Sequence, residues 1–240
     1  MPSEARRSTA ALLAAGLLLL VASGARADEL RPFTASYNWI WKGLTVANSS
    51  LKLERTDDTW TYSSKSDPRG IGRAFSERPR QVSIVNVTPE GVRPLSYKAD
   101  DGTSSSKRTI DLKYDWQSQR VTGVYEQTRV DLPLTPEVQD DASIQLELMV
   151  ELIAGRTPHK LSLIDKNGVR EYNYTREGEA TLDTALGSVR TIVYRAQKAY
   201  SPRVTRFWCA PDKGYVPMKV EQTKDKDVQW TMQIQSLTRD

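Results

Sequence analysis

The chain has 240 residues with 34 Lys and Arg, 30 Asp and Glu and a single His, which leaves a formal net charge of +4. This small excess, with both signs interspersed, lacks the basic patch typical of nucleic-acid-binding proteins. One His and one Cys are too few for a multi-histidine metal site or an internal disulfide, and no cofactor motif is present. We therefore expect no nucleic acid, no metal and no cofactor.

The N-terminus has the pattern of a secretory signal peptide. Arg6 and Arg7 precede an apolar run over 10–22, and residues 25–27 read Ala-Arg-Ala, which matches a cleavage site. The apolar run is shorter than the roughly 20 residues that a membrane-spanning helix needs. The pattern therefore predicts export.

We predict a signal peptide over 1–27, cleaved after Ala27, and one β-rich domain over 28–240 in the periplasm. N-terminal sequencing of the periplasmic protein should begin at Asp28. A protein that keeps the apolar run and pellets with membranes would contradict this prediction.

Alternation of apolar and polar residues predicts the first and last strands. Between 33 and 41 the odd positions are apolar or aromatic and the even ones mainly polar. The segment 228–235 alternates in the same way, with Trp230 on its apolar side. A period of two is typical of strands that are buried on one face.

Further strands are predicted over 44–54, 59–66, 80–87, 93–99, 107–114, 120–125, 159–164, 170–176, 188–195, 203–210 and 217–223. Short turns rich in Gly, Pro, Asn and Asp separate many of them, and Asn167-Gly168 is a strong hairpin signal. Closely spaced strands with short turns indicate antiparallel meanders. We therefore predict a mostly β fold, a single antiparallel curved sheet or half-open barrel with one helix, similar to lipoprotein carriers or lipocalins.

The predicted helix covers 140–154. Ile144, Leu148 and Leu152 lie on one helical line, and Gly155 provides a stop. Asp140 and the following Asp141 have two interpretations. They could form the carboxylate pair of a glycosidase, but their position directly before an apolar helical run favours N-terminal capping.

Aromatic residues supply the first set of candidate ligand-binding residues. Tyr37, Trp39 and Trp41 share one face of the first strand, and we expect Trp230 to line the same interior space. Trp208 is a further candidate. Core packing explains such residues, and so does a concave surface that holds an acyl chain or stacks on sugars.

The segment 68–80 supplies the second set. It contains four arginines and two glycines, and Arg69 and Arg73 are the candidates for binding an anionic headgroup or phosphate. The alternative is a solvated loop in which Glu77 is the local counter-charge. Both interpretations stay open at the level of sequence.

No catalytic residue is assigned. Cys209 is expected to be a small buried apolar residue, because a lone Cys lacks an activating motif here. His159 is expected to be an ordinary strand-end residue. If an activity is found, the His159→Ala and Cys209→Ser proteins should keep most of it in a turnover assay.

Several short motifs resemble one family. The segment 207–217 reads FWCAPDKGYVP and fits the pattern F/W-x-x-P-D-x-x-Y-x-P. Tyr37, Trp39 and Gly43 near the start, Asp140 and Ser143 at the helix, and the residues 178–187 before a late strand agree with it. The chain thus resembles the domain-of-unknown-function 3108 family of exported Gram-negative proteins. The resemblance implies an exported β-rich domain and supplies no activity or catalytic residue.

The preferred hypothesis is a non-catalytic periplasmic binding or carrier protein for an amphipathic envelope molecule, either a lipid or a lipid-linked glycan. The alternatives are a carboxylate-dependent enzyme or accessory protein of envelope polysaccharide metabolism, and a protein-interaction scaffold. The expected partner is the lipid or glycan, with at most peripheral contact with a membrane. An apolar cavity favours the first hypothesis, a cleft with two facing acids the second, and a flat exposed patch the third.

Overall fold

The computed structural model describes residues 30–74 and 77–239, which form fifteen β-strands and one α-helix. The predicted signal peptide and its cleavage site lie outside the described residues. The elements are β1 (Phe33–Trp41), β2 (Leu44–Thr56), β3 (Thr59–Pro68), β4 (Arg80–Thr88), β5 (Gly91–Asp100), β6 (Ile110–Asp115), β7 (Arg120–Tyr125), β8 (Thr128–Pro133), β9 (Val138–Gln139), α1 (Ser143–Ile153), β10 (Lys160–Asp165), β11 (Gly168–Thr184), β12 (Gly187–Lys198), β13 (Arg203–Ala210), β14 (Val216–Lys224) and β15 (Asp227–Arg239).

All fifteen strands belong to one sheet, in the order β8-β7-β6-β5-β4-β3-β2-β1-β15-β14-β13-β12-β11-β10-β9. Strands that follow one another in the chain pair with each other, except that β8 and β9 lie at opposite edges. The first and last strands, β1 and β15, pair in the middle. Every pairing is antiparallel apart from two residues of β9 that pair in parallel with β10 across the helical connection. The antiparallel pairs follow from direct connections between successive strands, of which many are two-residue turns, such as 42–43 and 57–58, and others are longer loops.

The sheet curls so that its two halves meet around α1. Gln139 Nε2 on β9 donates to the carbonyl oxygen of Val92 on β5 at 2.8 Å. Lys166 Nζ, before β11, lies 3.2 Å from Glu126 Oε2, before β8. Because β8 and β9 do not pair within the described residues, the barrel stays half open. The predicted fold class is confirmed: a mostly β chain, one large unclosed sheet and one helix.

Helix α1 packs between the two halves of the sheet and is buried on several sides. Leu146 and Met149 belong to the larger apolar core, whereas Leu148 and Leu152 belong to a smaller one that contains Tyr174. A helix that is apolar around most of its circumference is buried rather than amphipathic. No helix of the described residues is long and apolar enough to cross a membrane.

The start of α1 is fixed by Asp140. Its carboxylate accepts the N–H groups of Ala142 at 2.9 Å and Ser143 at 2.7 Å, and Ser143 Oγ accepts the Asp140 N–H. The hydroxyl of Ser83 on β4 donates to the same carboxylate at 2.7 Å. Asp141 is exposed and accepts the Tyr125 hydroxyl. The two carboxylates therefore serve different neighbours and do not face each other across a cleft.

The predicted strands are present, with differences at their ends. The helix is shorter than predicted, because Asp140 and Asp141 precede it. Strand β11 runs past the predicted end to Thr184, since a bulge between Arg176 and Gly178 lets the ladder continue. Strands β8 and β9 were not predicted. Their sequences are short, and β8 ends in a Pro, as is typical of an edge.

Candidate functional site

The aromatic residues of β1 pass from the core to solvent along the strand. Tyr37 is fully buried, and its hydroxyl donates to the carbonyl oxygen of Pro217 at 3.0 Å. Burial raises the pKa of this hydroxyl above its ordinary value. Trp39 is half-buried, and Trp41 at the strand end is 43% exposed. The same face of β1 thus contributes a core residue at Tyr37 and a surface residue at Trp41.

A cleft of about 630 Å³ opens beside Trp39 at the end of the barrel where β1 stops. Trp39 and Trp230 form its aromatic wall, because β15 pairs with β1. Their ring centroids lie 4.8 Å apart with the planes tilted by 46°. Trp41, Pro68 and Arg203 are among the other lining residues.

Hydroxyl groups orient the Trp39 ring. Its Nε1 donates to Ser49 Oγ, which lies 2.6 Å from Ser66 Oγ. Ser49 is buried on β2 opposite Tyr37. Because these bonds satisfy the polar edge of the indole, the remaining ring surface that lines the cleft is apolar.

A smaller cavity of about 280 Å³ adjoins the cleft and shares Trp39, Ser66 and Pro79 with it. Charged side chains line this cavity. Arg80 Nη2 lies 3.2 Å from Asp100 Oδ1, and Arg108 Nη1, also in the lining, lies 2.5 Å from a Glu77 carboxylate oxygen. The apolar cleft therefore continues into a charged compartment.

The loop between β3 and β4 forms one side of the cleft. Residues Gly70–Ala74 make a 3₁₀ turn that lies directly on β2. A Cβ on Gly72 would overlap the carbonyl oxygen of Val46. This close approach requires glycine and places Gly72 in the cleft wall.

Two of the predicted arginines lie outside the cleft. Arg69 Nε donates to Asn48 Oδ1 at 2.7 Å. Asn48 and its neighbour Ala47 project from opposite faces of β2, and Ala47 is the one that lines the cleft. Arg73 is exposed in the same loop and is not part of the lining.

Trp208 lies on the outer face of β13. Its neighbours Phe207 and Cys209 pack into the interior, and Lys219 Nζ covers its ring at 4.4 Å from the centroid. The structure thus brings together Trp39, Trp41 and Trp230, with Tyr37 beneath them in the core, and separates Trp208 from them.

Arg203 was missed by the sequence interpretation. It begins β13 and lines the cleft. The alternation of β13 was the available signal, because Arg203 occurs four residues before the interior Phe207 and so lies on the same face.

The described residues offer few candidates for a catalytic nucleophile or a general acid or base. Cys209 is completely buried, as predicted, and burial raises the pKa of its thiol, which opposes thiolate formation. His159 is exposed at the start of β10. Among residues 30–74 and 77–239, no three His, Cys, Asp or Glu side chains come together to hold a metal ion.

A third cavity, polar and of about 470 Å³, lies beside α1 and is lined in part by the buried Glu147. The backbone N–H of Val92 donates to Glu147 Oε2 at 2.5 Å. A Cβ on Gly91 would lie 2.6 Å from Glu147 Oε1, so glycine makes room for this carboxylate. Burial raises the pKa of Glu147 to about 7. These contacts identify Glu147 as an anchor of α1 on the β4–β5 hairpin.

Solved structures show the same kind of fold. A β-barrel-like protein of domain of unknown function DUF1849 from Brucella abortus matches with a TM-score of 0.58 and 11% identity, covering 88% of this chain and 98% of that one. An exported protein with a YmcC-like fold from Bacteroides fragilis gives a TM-score of 0.38 at 9% identity, covering 87% of this chain and 96% of that one. The MucA/MucB complex of Pseudomonas aeruginosa gives 0.39 at 13% identity, covering 89% of this chain and 53% of that one.

The first likeness confirms the barrel-like architecture, and the other two are too distant to support more. Comparison with curated proteins finds no match. The family model described as "Protein of unknown function (DUF3108)" matches residues 33–231, which is most of the chain and includes the aromatic wall of the cleft. The chain therefore belongs to the DUF3108 family.

Proposed function

We propose that this protein is a non-catalytic binding or carrier protein of the periplasm and that its ligand is an amphipathic envelope molecule, a lipid or a lipid-linked glycan. The observation that carries the proposal is the cleft beside Trp39 and its continuity with a charged compartment. The volume of the cleft, about 630 Å³, lies within the range of roughly 300–1,000 Å³ that is typical of ligand cavities.

The apolar part of the ligand would lie against the Trp39–Trp230 wall. Each methylene group that leaves water for such a surface contributes about 0.8 kcal/mol. The same aromatic faces can stack on a sugar ring. An acyl chain or an isoprenoid is thus the moiety that this wall suits best.

The polar part of the ligand would lie toward the arginines. Arg203 lines the cleft, and Arg80 and Arg108 line the adjoining compartment. A guanidinium group binds phosphate or carboxylate oxygens through two parallel N–H donors. Acids are present as well, because Asp100 and Asp101 line the compartment and Asp100 and Glu77 pair with Arg80 and Arg108. A molecule with an apolar chain and a polar head therefore matches both ends of the combined cavity.

The two alternative hypotheses fit the cleft less well. Carboxylate-dependent catalysis needs two acids across the substrate. Among the described lining residues of the cleft, Glu77 is the single carboxylate and is paired with Arg108. In the adjoining compartment Asp100 pairs with Arg80, and Asp101 accepts hydrogen bonds from Thr103. A scaffold would present a flat patch instead of a cavity.

The proposal predicts that a phospholipid with brominated acyl chains quenches tryptophan fluorescence of the purified protein. The double variant Trp39→Ala, Trp230→Ala should weaken binding about tenfold or more, because 1.4 kcal/mol is tenfold in affinity and burying the two rings against a chain contributes at least that much. Titration of the quenching measures the affinity, and native mass spectrometry of periplasmic protein identifies a copurified lipid or glycolipid.

Trp208→Ala is the matched control, since it removes an indole from the outer face of the barrel. This variant should bind the brominated lipid as the unaltered protein does. Equal losses in the control and the double variant, or no quenching by any acyl ligand, would contradict the proposal.

A further inference from the structure

Five turns surround the mouth of the cleft at one end of the barrel. They connect β1 to β2 (42–43), β3 to β4 (described residues 69–74 and 77–79), β5 to β6 (101–109), β12 to β13 (199–202) and β14 to β15 (225–226). Two further turns at this end, 126–127 and 166–167, do not line the cleft and add one ion pair, Lys166 with Glu126. A hydrogen bond from the Asp225 N–H to the Pro202 carbonyl oxygen, at 3.2 Å, joins the β14–β15 turn to the β12–β13 turn. We call the five turns, with the strand residues that flank them, the open rim.

The open rim exposes large apolar side chains to solvent. They are Trp41 and Leu44 at the β1–β2 turn, Ile71 in the 3₁₀ turn, Tyr200 between β12 and β13, and Val228 at the start of β15. The other exposed large apolar residues in the described part of the chain are Val82 and Ile84 on β4, Val124 near the end of β7 and Val169 near the start of β11, and the turns of the opposite end contribute none. Burial of such side chains would be favourable, so their concentration at one end indicates a contact surface.

Tyr200 is the most exposed of these residues. Its accessibility equals that of a fully free side chain, and its backbone has φ of 60°. A bulky residue rarely adopts positive φ, because the Cβ then crowds the backbone. Eight other non-Gly residues of the described chain also have positive φ, so what Tyr200 adds to the rim is its fully exposed phenol ring.

The charges of the two barrel ends are opposite. The five turns of the open rim carry seven cationic side chains and three acidic ones: Lys42, Arg69, Arg73, Arg78, Lys107, Arg108 and Lys226, against Glu77, Asp101 and Asp225. The turns at the other end, together with the connection from α1 to β10, carry five acidic side chains and two cationic ones: Asp57, Asp58, Glu90, Glu137 and Asp212, against Arg156 and Lys213. An anionic surface would therefore attract the open rim and repel the opposite end.

We propose that the open rim docks on the surface of an anionic lipid bilayer. Apolar side chains on separate turn tips suit insertion between headgroups, and cations beside them suit lipid phosphates. The Lys42 ammonium lies 4.8 Å from the centroid of the Trp41 ring, which combines both features in one turn. Docking brings the mouth of the cleft to the lipid, but it does not depend on the cleft holding a ligand.

Cosedimentation with vesicles tests the docking. The mature protein should bind vesicles of phosphatidylcholine mixed with phosphatidylglycerol, bind pure phosphatidylcholine weakly, and lose binding as salt rises. Ile71→Ser should weaken binding about tenfold or more, because several methylene groups no longer enter the bilayer. Lys42→Gln should weaken it about fivefold, as expected for one cation near an anionic surface.

Two matched variants separate docking from general effects. Ile84→Ser removes an exposed isoleucine from the outer face of β4, and Lys213→Gln removes a cation from the opposite end; neither should change vesicle binding. Absence of binding to any vesicle, or equal losses in the matched variants, would overturn the proposal.

The cleft variants distinguish docking from ligand binding. Trp39→Ala with Trp230→Ala should still cosediment with anionic vesicles, and Ile71→Ser should still bind dispersed brominated lipid. If instead the cleft variant loses vesicle binding and Ile71→Ser keeps it, the vesicle contact is ligand capture by the cleft, and docking through the rim is wrong.

Discussion

Replacing Tyr37 by Ala should lower the free energy of unfolding by about 3–5 kcal/mol, the usual loss when a large buried aromatic side chain is removed. Tyr37 is completely buried beneath the cleft and is surrounded by core residues of both barrel halves. Trp39→Ala should cost clearly less, because the Trp39 ring already borders an open cavity. Denaturation in urea, monitored by circular dichroism, measures both variants.

Tyr37→Phe separates the ring from its hydroxyl. It removes the hydrogen bond to the Pro217 carbonyl and should cost about 1 kcal/mol, the net contribution of one such bond. If Trp39→Ala proves as destabilising as Tyr37→Ala, the Trp39 wall is rigid core, and the case for a ligand cavity is lost.

Stability should fall as pH rises from about 4 to about 7. Burial raises the pKa of Asp140 from 3.8 and that of Glu147 from 4.5, in each case to about 7. The unfolded chain releases these two protons near pH 4, whereas the folded protein keeps them until about pH 7. The folded state therefore binds more protons in this window, and raising the pH favours unfolding.

Each of these shifts corresponds to about 3–4 kcal/mol, since one pKa unit is 1.36 kcal/mol. Both groups fix the position of α1. Asp140 accepts hydrogen bonds from Ser83 and from the first turn of the helix, and Glu147 accepts one from the Val92 N–H. Urea denaturation at a series of pH values measures the slope. Local hydrogen bonds lower the pKa of Asp101 and Asp115, so these two acids titrate below this window.

Asp140→Asn and Glu147→Gln should each reduce the slope, because the neutral amide no longer titrates. Asp111→Asn is the control, because Asp111 is a half-exposed acid away from α1 that pairs with Lys98. This variant should leave the slope unchanged. A slope that both amide variants leave unchanged would show that other groups govern the pH dependence.

The strand pattern was accessible from sequence because alternation is a local property. Turn residues such as Asn167-Gly168 and the alternating faces of 33–41 and 228–235 predicted a meander, and the meander is present. The helix was predicted from its apolar run and stop. Strand β9 could not be predicted, because two residues carry no periodicity and the pairing with β10 depends on the position of α1.

The candidate site was predicted only in part. The alternation predicts all four aromatic residues on one interior surface; in the structure Trp39, Trp41 and Trp230 line one cleft, and Tyr37 lies in the core below it. Bulges between Ser36 and Tyr37 and between Trp39 and Ile40 shift the register of β1 against its two neighbours. Depth along a strand depends on such non-local pairing, which alternation does not encode.

The sequence by itself determined a mostly β chain, the residues that share a face, and membership in one family. Only the tertiary structure decided which aromatic residues are core and which border the cleft. It also decided that Arg203 lines the cleft while Arg69 lies on the outer face, and that cationic and apolar residues from five distant turns meet at one rim. The physical reason is that the side-chain period follows from backbone geometry alone, whereas cavities and rims arise from contacts between residues far apart in the chain.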